Sequence, residues 1–248
     1  MQLDIILRTH DQKSIHHRDF DYDKSDITQR CANSIHKAID GLDNVSIVTV
    51  DDHSSDETVS MLRNVIDLEG TGNNASLAKV FELAADSKAD LVYLIEDDYL
   101  HYPNAIEEML LTYDKFTEKM ETKDICLSLV DCPAHYHQKQ YVGGGKGRDG
   151  SIARIVGGVN YAWRTTEHTG ATFCTTPNVI NKYWGAFDDL VQHWPTAKED
   201  TTWNKIWEEH VVLFNPLQPL AYHLAEVHPY YPHDQLWNDS KLKHIKAA

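Results

Sequence analysis

The chain has 248 residues, 42% of them hydrophobic and 25% charged, enough apolar material to bury the core of one large α/β domain. Its 23 basic and 38 acidic residues leave a formal charge of −15, which counts against a long nucleic-acid backbone or an anionic membrane as the default partner, since both are polyanions. No stretch approaches the roughly 18 uninterrupted apolar residues of a membrane span, and Asp4 and Arg8 break the first apolar run where a signal peptide would be continuous, so a soluble, cytoplasmic protein is expected.

In chain order, the first half alternates strand and helix signals, the pattern of a parallel sheet with crossover helices. Leu3 to Leu7 is a short apolar strand. Ile27, Cys31, Ile35 and Ala38 recur at helical spacing behind the caps Ser25 and Asp26, with Gly41 as the stop. Val45 to Val50 is a second strand that runs into Asp51-Asp52-His53-Ser54-Ser55-Asp56, whose Ser/Asp cluster can cap a helix beginning near Glu57. Leu77, Val80, Phe81 and Ala84 mark another helix after the turn-rich 69–74. Leu91 to Ile95 is apolar throughout, as expected of a strand covered on both faces, and it ends abruptly in Glu96-Asp97-Asp98. Pro103 then starts a helix through Met109 and Leu110.

The second half reads as shorter elements: strands at Ile125 to Val130, Ile152 to Val156, Val159 to Trp163 and Ala171 to Thr175, and helices near Asn178 to Leu190 and Asp200 to Glu209. The glycine-rich 143–148, carrying Lys146 and Arg148, lacks the Gly-Lys-Ser/Thr and the following helix of a P-loop. It reads with Arg154 as a solvated basic loop. The cysteines Cys31, Cys126, Cys132 and Cys174 form no C-x-x-C pair and are expected as reduced thiols, mostly in the core. His135 and His137 lack a second pair at zinc-ligand spacing. Of Trp163, Trp184, Trp194, Trp203 and Trp207, the last two stand at helical spacing and read as core rather than as sugar-stacking platforms.

Ligands of an open parallel sheet bind beyond the carboxyl ends of its strands, and both acid clusters, Asp51-Asp52 and Glu96-Asp97-Asp98, fall at such ends. Clustered carboxylates are costly unless a cation or hydrogen-bond donors neutralise them, which points to a hard divalent ion, Mg²⁺ or Mn²⁺, that keeps positions for phosphate. Caps and solvation explain Ser54, Ser55 and Asp56. They do not explain three acids ending a buried strand.

In this order the segments resemble a glycosyltransferase of the GT-A fold, similar to glycosyltransferase family 2. Ile5-Ile6-Leu7-Arg8-Thr9-His10 resembles its first strand and nucleotide loop. Val50-Asp51-Asp52-His53-Ser54-Ser55-Asp56-Glu57-Thr58 resembles its Val-Asp-Asp-Gly-Ser-x-Asp-x-Thr segment, with His53 at the glycine. The run 70–79 takes the place of an Asn/Gly-rich turn and helix, and Leu94-Ile95-Glu96-Asp97-Asp98 that of the D-x-D motif, with Glu96 for its first acid. His168-Thr169-Gly170-Ala171-Thr172-Phe173 and Lys198-Glu199-Asp200-Thr201 resemble the acceptor-side segment and the acidic pair that supplies the base.

The resemblance implies a Rossmann-like, mostly parallel central sheet flanked by helices, with a smaller acceptor-side β/α portion. One domain, 1–248, would divide into a nucleotide-sugar half, 1–120, and an acceptor half, 121–248. It implies that Arg8 reaches a phosphate, and that Thr9 and Asp51 or Asp52 contact the nucleoside. Asp98, with Glu96 and His223, would hold Mn²⁺ or Mg²⁺ on the donor diphosphate. Asp97 is a spacer or a ribose contact. Asp200, with Glu199 as fallback, would be the general base of an inverting transfer from a nucleoside-diphosphate sugar, a UDP-sugar first, to a hydroxyl of a glycan or of a modified base in DNA. Two alternatives stand beside it: a nucleotidyltransferase acting on sugar phosphates, for which Arg8-Thr9-His10-Asp11 lacks the expected glycines, and a non-catalytic nucleotide-sugar-binding module.

Overall fold

The computed structural model describes residues 1–12, 22–131, 153–224 and 234–240, excepting the side chains of Asp200 and Asp234. Nine of its strands form one sheet in the order β3-β2-β1-β4-β9-β6-β10-β8-β7. These are β1 (Leu3–Thr9), β2 (Val45–Asp51), β3 (Val65–Asp67), β4 (Leu91–Glu96), β6 (Ile125–Leu127), β7 (Ile155–Gly157), β8 (Ala162–Thr166), β9 (Phe173–Thr175) and β10 (Val212–Pro216). β8 and β9 run opposite to the other seven strands, which share one direction, so the sheet is mostly parallel. A separate two-stranded ribbon pairs β5 (Tyr99–His101) with β11 (Ala221–His223).

Strand periodicity divides the core between the two faces of the sheet. Leu3, Ile5 and Leu7 of β1, with Tyr93 and Ile95 of β4, pack beneath α1 (Lys24–Ala38) and α4 (Ala105–Met120). Ile6, Val92 and Leu94 face the other way. They meet Phe81 of α3 (Asn73–Asp86), Val179 and Ile180 of α5 (Pro177–Lys182), Phe187 of α6 (Trp184–His193), and Trp203 and Trp207 around α7 (Asn204–Glu209). A third, smaller cluster joins α1 and the ribbon to α8 (Asp234–Asp239) through Ile27, Cys31, Leu100, Tyr222 and Trp237.

Several boundaries differ from the sequence expectation, each for a local reason. Asp23, not Ser25 or Asp26, caps α1, its carboxylate accepting from the Ser25 amide at 2.9 Å. The helix after Ser55 is the single turn α2 (Asp56–Val59), and α4 begins two residues past Pro103. Strand β6 stops at Leu127, and the Leu129 carbonyl beyond it accepts from the amides of Leu220 and Ala221. Residues 158–161 turn the β7–β8 hairpin, Gly158 N–H donating to the Tyr161 carbonyl at 2.8 Å, so the expected 159–163 strand lies instead at Ala162–Thr166. The 178–190 helix breaks at Tyr183, whose ring stacks on His210. The 200–209 helix is divided by Thr202 and Trp203, where the indole turns into the core.

Cys31, Cys126 and Cys174 are free thiols in the core, whereas Cys132, His135, His137, Ile152, Lys146 and Arg148 lie outside the described residues. Among the described residues, no helix is long and apolar enough to cross a membrane.

Candidate active site

Parallel pairing brings the carboxyl ends of β1, β2 and β4 together, with Thr9 opposite Asp51 and Arg8 opposite Glu96. At the β2 end the acids are engaged by the loops they organise. Asp51 accepts from Thr9 Oγ1 at 2.7 Å and from the Ser54 amide at 2.9 Å. Asp52 Oδ2 accepts from the Gly72 amide at 2.8 Å, tying the loop to the start of α3. Asp11 accepts from Ser55 Oγ and the Ser55 amide; burial opposes ionisation there, but hydrogen bonds from Ser55 and Thr58 hold its pKa below the ordinary value. His53 occupies a left-handed backbone position, φ 58°, which is the conformation that a glycine would fill without strain.

At the β4 end the three consecutive acids have three different environments. Glu96 is ion-paired with the Arg8 guanidinium, which also donates to Asn73 Oδ1 at 2.7 Å. Burial raises the Glu96 pKa, Arg8 works against the rise, and Asp98 and Asp97 add to it. Asp97 accepts from Lys24 Nζ at 2.5 Å, the His10 amide at 2.8 Å and Thr28 Oγ1 at 3.1 Å. Asp98 points the other way, with Oδ2 3.6 Å from His223 Nε2.

The ribbon makes that last approach possible across 125 residues of sequence. His223 lies opposite Tyr99 in the β5–β11 register, the Leu224 amide donates to the Asp98 carbonyl at 2.8 Å, and the His223 ring stacks on Tyr99 with centroids 4.5 Å apart. The stack fixes the imidazole plane, leaving its Nε2 edge toward Asp98.

Among the described residues, no three His, Cys, Asp or Glu side chains converge as a metal-binding group. Asp98 and His223 offer one oxygen and one nitrogen, both partly exposed. That donor set fits an ion such as Mn²⁺ or Mg²⁺ that takes its remaining ligands from phosphate and water. Glu96 adjoins the pair but is committed to Arg8.

The second-half segments meet the same edge. Thr172 Oγ1 accepts from the Glu96 amide at 3.0 Å, and Gly170 lies beside the Tyr99 hydroxyl. Asn204 bridges the Thr169 amide and His168 Nδ1, and the Trp203 indole N–H donates to the Thr169 carbonyl. These contacts tie the 168–172 loop to the start of α7, which the 3-10 turn Glu199–Thr201 precedes. Glu199 is half-buried there; the Asp200 backbone belongs to the turn and its side chain lies outside the described residues. Trp163, Trp203 and Trp207 are buried in the core, while Trp184 is exposed on α6.

Sequence reading missed Lys24, Thr28, Tyr99 and Asn204. Thr28 carried the one available signal, a polar residue beside the apolar stripe Ile27, Cys31 and Ile35, fully buried in the fold.

Residues 22–119, less than half of the chain, match the model of glycosyl transferase family 2. The chain has the mixed α/β architecture of the GT-A fold. It is similar to S. aureus TarS at 14% identity and a TM-score of 0.50, over 92% of this chain and 37% of that one. It is also similar to the mannosyltransferase PcManGT from Pyrobaculum calidifontis, solved in complex with GDP-Man and Mn²⁺, at 12% identity and a TM-score of 0.44, over 73% of this chain and 46% of that one. The chain thus spans less than half the length of either protein. A comparison with curated proteins gave no match.

Proposed function

We propose that the protein transfers a sugar from a nucleoside-diphosphate sugar to a hydroxyl acceptor, holding the donor's diphosphate at the corner where Asp98 meets His223. The observation that carries this reading is the 3.6 Å approach of those two side chains at the carboxyl end of β4, brought about by the ribbon rather than by sequence proximity. The family match over 22–119, which spans β2, β4 and the acid cluster, supports the same reading.

Held by Asp98 and His223, Mn²⁺ or Mg²⁺ would neutralise the negative charge that develops on the departing diphosphate. Arg8, fixed by Glu96 and Asn73, contributes a guanidinium to the same wall, and Thr9, Asp51 and Asp52 form the nucleoside end. Asp200, with Glu199 as fallback, is the base that takes the proton of the attacking hydroxyl, and a single displacement inverts the anomeric carbon. In this scheme residues 1–120 form the donor half and 121–248 the acceptor half. The charge of −15 favours a glycan hydroxyl over DNA as acceptor.

A screen of nucleotide sugars with Mn²⁺ and Mg²⁺, UDP-sugars first, read out by release of nucleotide, tests the reading. Asp98→Asn should lower kcat/KM on the best donor by roughly 10²-fold or more, as loss of a group stabilising a developing anion does. Asp200→Asn should leave donor affinity nearly intact and reduce kcat by about 10²–10⁴-fold. Full turnover in Asp98→Asn would remove the diphosphate assignment, and full turnover in Asp200→Asn the base.

A further inference from the structure

Among the described residues Asp97 accepts from three partners, and they come from outside the sheet. Lys24 and Thr28 sit in the first turns of α1, and the His10 amide belongs to the loop after β1. Lys24 and Asp97 are both largely shielded, with side-chain exposures of 11% and 13%, so solvent screens this pair far less than a surface bridge. Both carboxylate oxygens of Asp97 are taken, one by the ammonium and the other by the amide and the hydroxyl.

Asp97 and Asp98 together make the short turn from β4 into β5. Consecutive side chains in so tight a turn project to different sides, so the backbone that one anchors also sets the direction in which the other leaves the chain. The Asp98 carbonyl is held on the ribbon side by the Leu224 amide. The Asp97 side chain is held on the helix side. Between the two anchors the Asp98 carboxylate lies toward His223, its Oδ2 3.6 Å from Nε2.

We propose that Lys24 and Thr28 are positioning residues of the donor site: by clamping Asp97 they set the Asp97–Asp98 turn so that Asp98 meets His223. The inference rests on the reading of Asp98 and His223 as the pair that receives the cation. Partners of this outer kind cost about 10–100-fold in metal affinity when removed from other sites.

Electrostatics gives the test its sign. Deleting the Lys24 charge leaves Asp97 uncompensated beside Asp98, which by Coulomb's law alone strengthens cation binding. Loss of geometry weakens it. Mn²⁺ alone, titrated into the full chain with free aqua-ion measured by electron paramagnetic resonance, separates the two, with near-ultraviolet circular dichroism confirming that each variant is folded.

Lys24→Met should raise the Mn²⁺ Kd about tenfold despite the more negative site, and Thr28→Val, which keeps shape and charge, should raise it by about the same factor. In an Asp98→Asn background Lys24→Met should add no further loss. Should Lys24→Met not fold, Thr28→Val and Lys24→Arg carry the test, the latter expected to retain most of the affinity. Unchanged or tighter Mn²⁺ binding in Lys24→Met, or in Thr28→Val, beside a clear loss in Asp98→Asn, would overturn the positioning role alone. Equal binding by wild type and Asp98→Asn would instead overturn the reading of the site.

Discussion

His53 illustrates how a single residue can depart from a pattern without departing from its geometry. Its φ of 58° is left-handed, a conformation that costs a residue with a Cβ about 1–2 kcal/mol relative to glycine. Its imidazole, 3.1 Å from Asp52 Oδ1 and half exposed, recovers little of that. His53→Gly should therefore stabilise the protein by about 0.5–1 kcal/mol after the entropy of a more flexible unfolded chain is set against the relieved strain, read as a higher urea midpoint at unchanged m-value. A lower midpoint would mean that the imidazole–carboxylate contact outweighs the strain. The strand-end acids were legible in sequence because three carboxylates after an apolar run have few explanations. Their division of labour was legible only in part: the resemblance grouped Asp98 with His223, which the structure places 3.6 Å apart, but nothing in Glu96-Asp97-Asp98 says that Arg8 engages the first and α1 the second.

At the scale of elements, α1 is gripped from two sides. Its first turns hold Asp97, while its outer face carries α8. Arg30 donates to the Trp237 carbonyl at 2.8 Å and lies 4.1 Å above its ring, Tyr22 stacks on that ring at 3.9 Å, and Asn33 and Lys37 donate to the carbonyls of Ser240 and Asp239. Trp237→Ala removes the centre of this small cluster and should cost about 3 kcal/mol, measurable by urea unfolding. No loss of stability would mean that α8 contributes nothing to the main fold. The long helices and β1, β2 and β4 were readable from apolar periodicity, which burial on two faces enforces. The ribbon was not readable, because its two strands have three residues each and are defined by pairing across the chain rather than by any local pattern. The breaks at Tyr183 and Thr202 were hidden for a related reason: apolar spacing continues through them while the backbone turns to stack Tyr183 on His210 and to bury the Trp203 indole.

For the whole molecule, buried histidines couple stability to pH. His101 is fully enclosed in the core between sheet and helices: its Nδ1–H donates to the Tyr99 carbonyl, which requires Nε2 to accept from the Tyr93 hydroxyl at 2.8 Å. Burial lowers its pKa from 6.5 to about 3, and burial with the Arg63 charge lowers that of His36 to about 4. The unfolded chain takes up these protons first as the pH falls, so stability is full above about pH 6.5 and declines toward pH 4 at roughly 1.4 kcal/mol per pH unit for each histidine. His101→Gln should flatten that decline by about one proton's worth in urea unfolding between pH 7 and pH 4.5; an unchanged slope would show that His101 does not stay neutral in the fold. Above pH 6.5 the sheet, the ribbon and α1 together hold one corner in place, and the proposed function depends on what binds there. Anomalous diffraction at the manganese edge, from crystals soaked with Mn²⁺ and UDP, examines that corner directly. The expected result is a single strong peak within coordination distance of both Asp98 and His223, bridged to the diphosphate. A nucleotide bound with its manganese elsewhere, or with Asp98 still turned from the ion, would contradict the assignment.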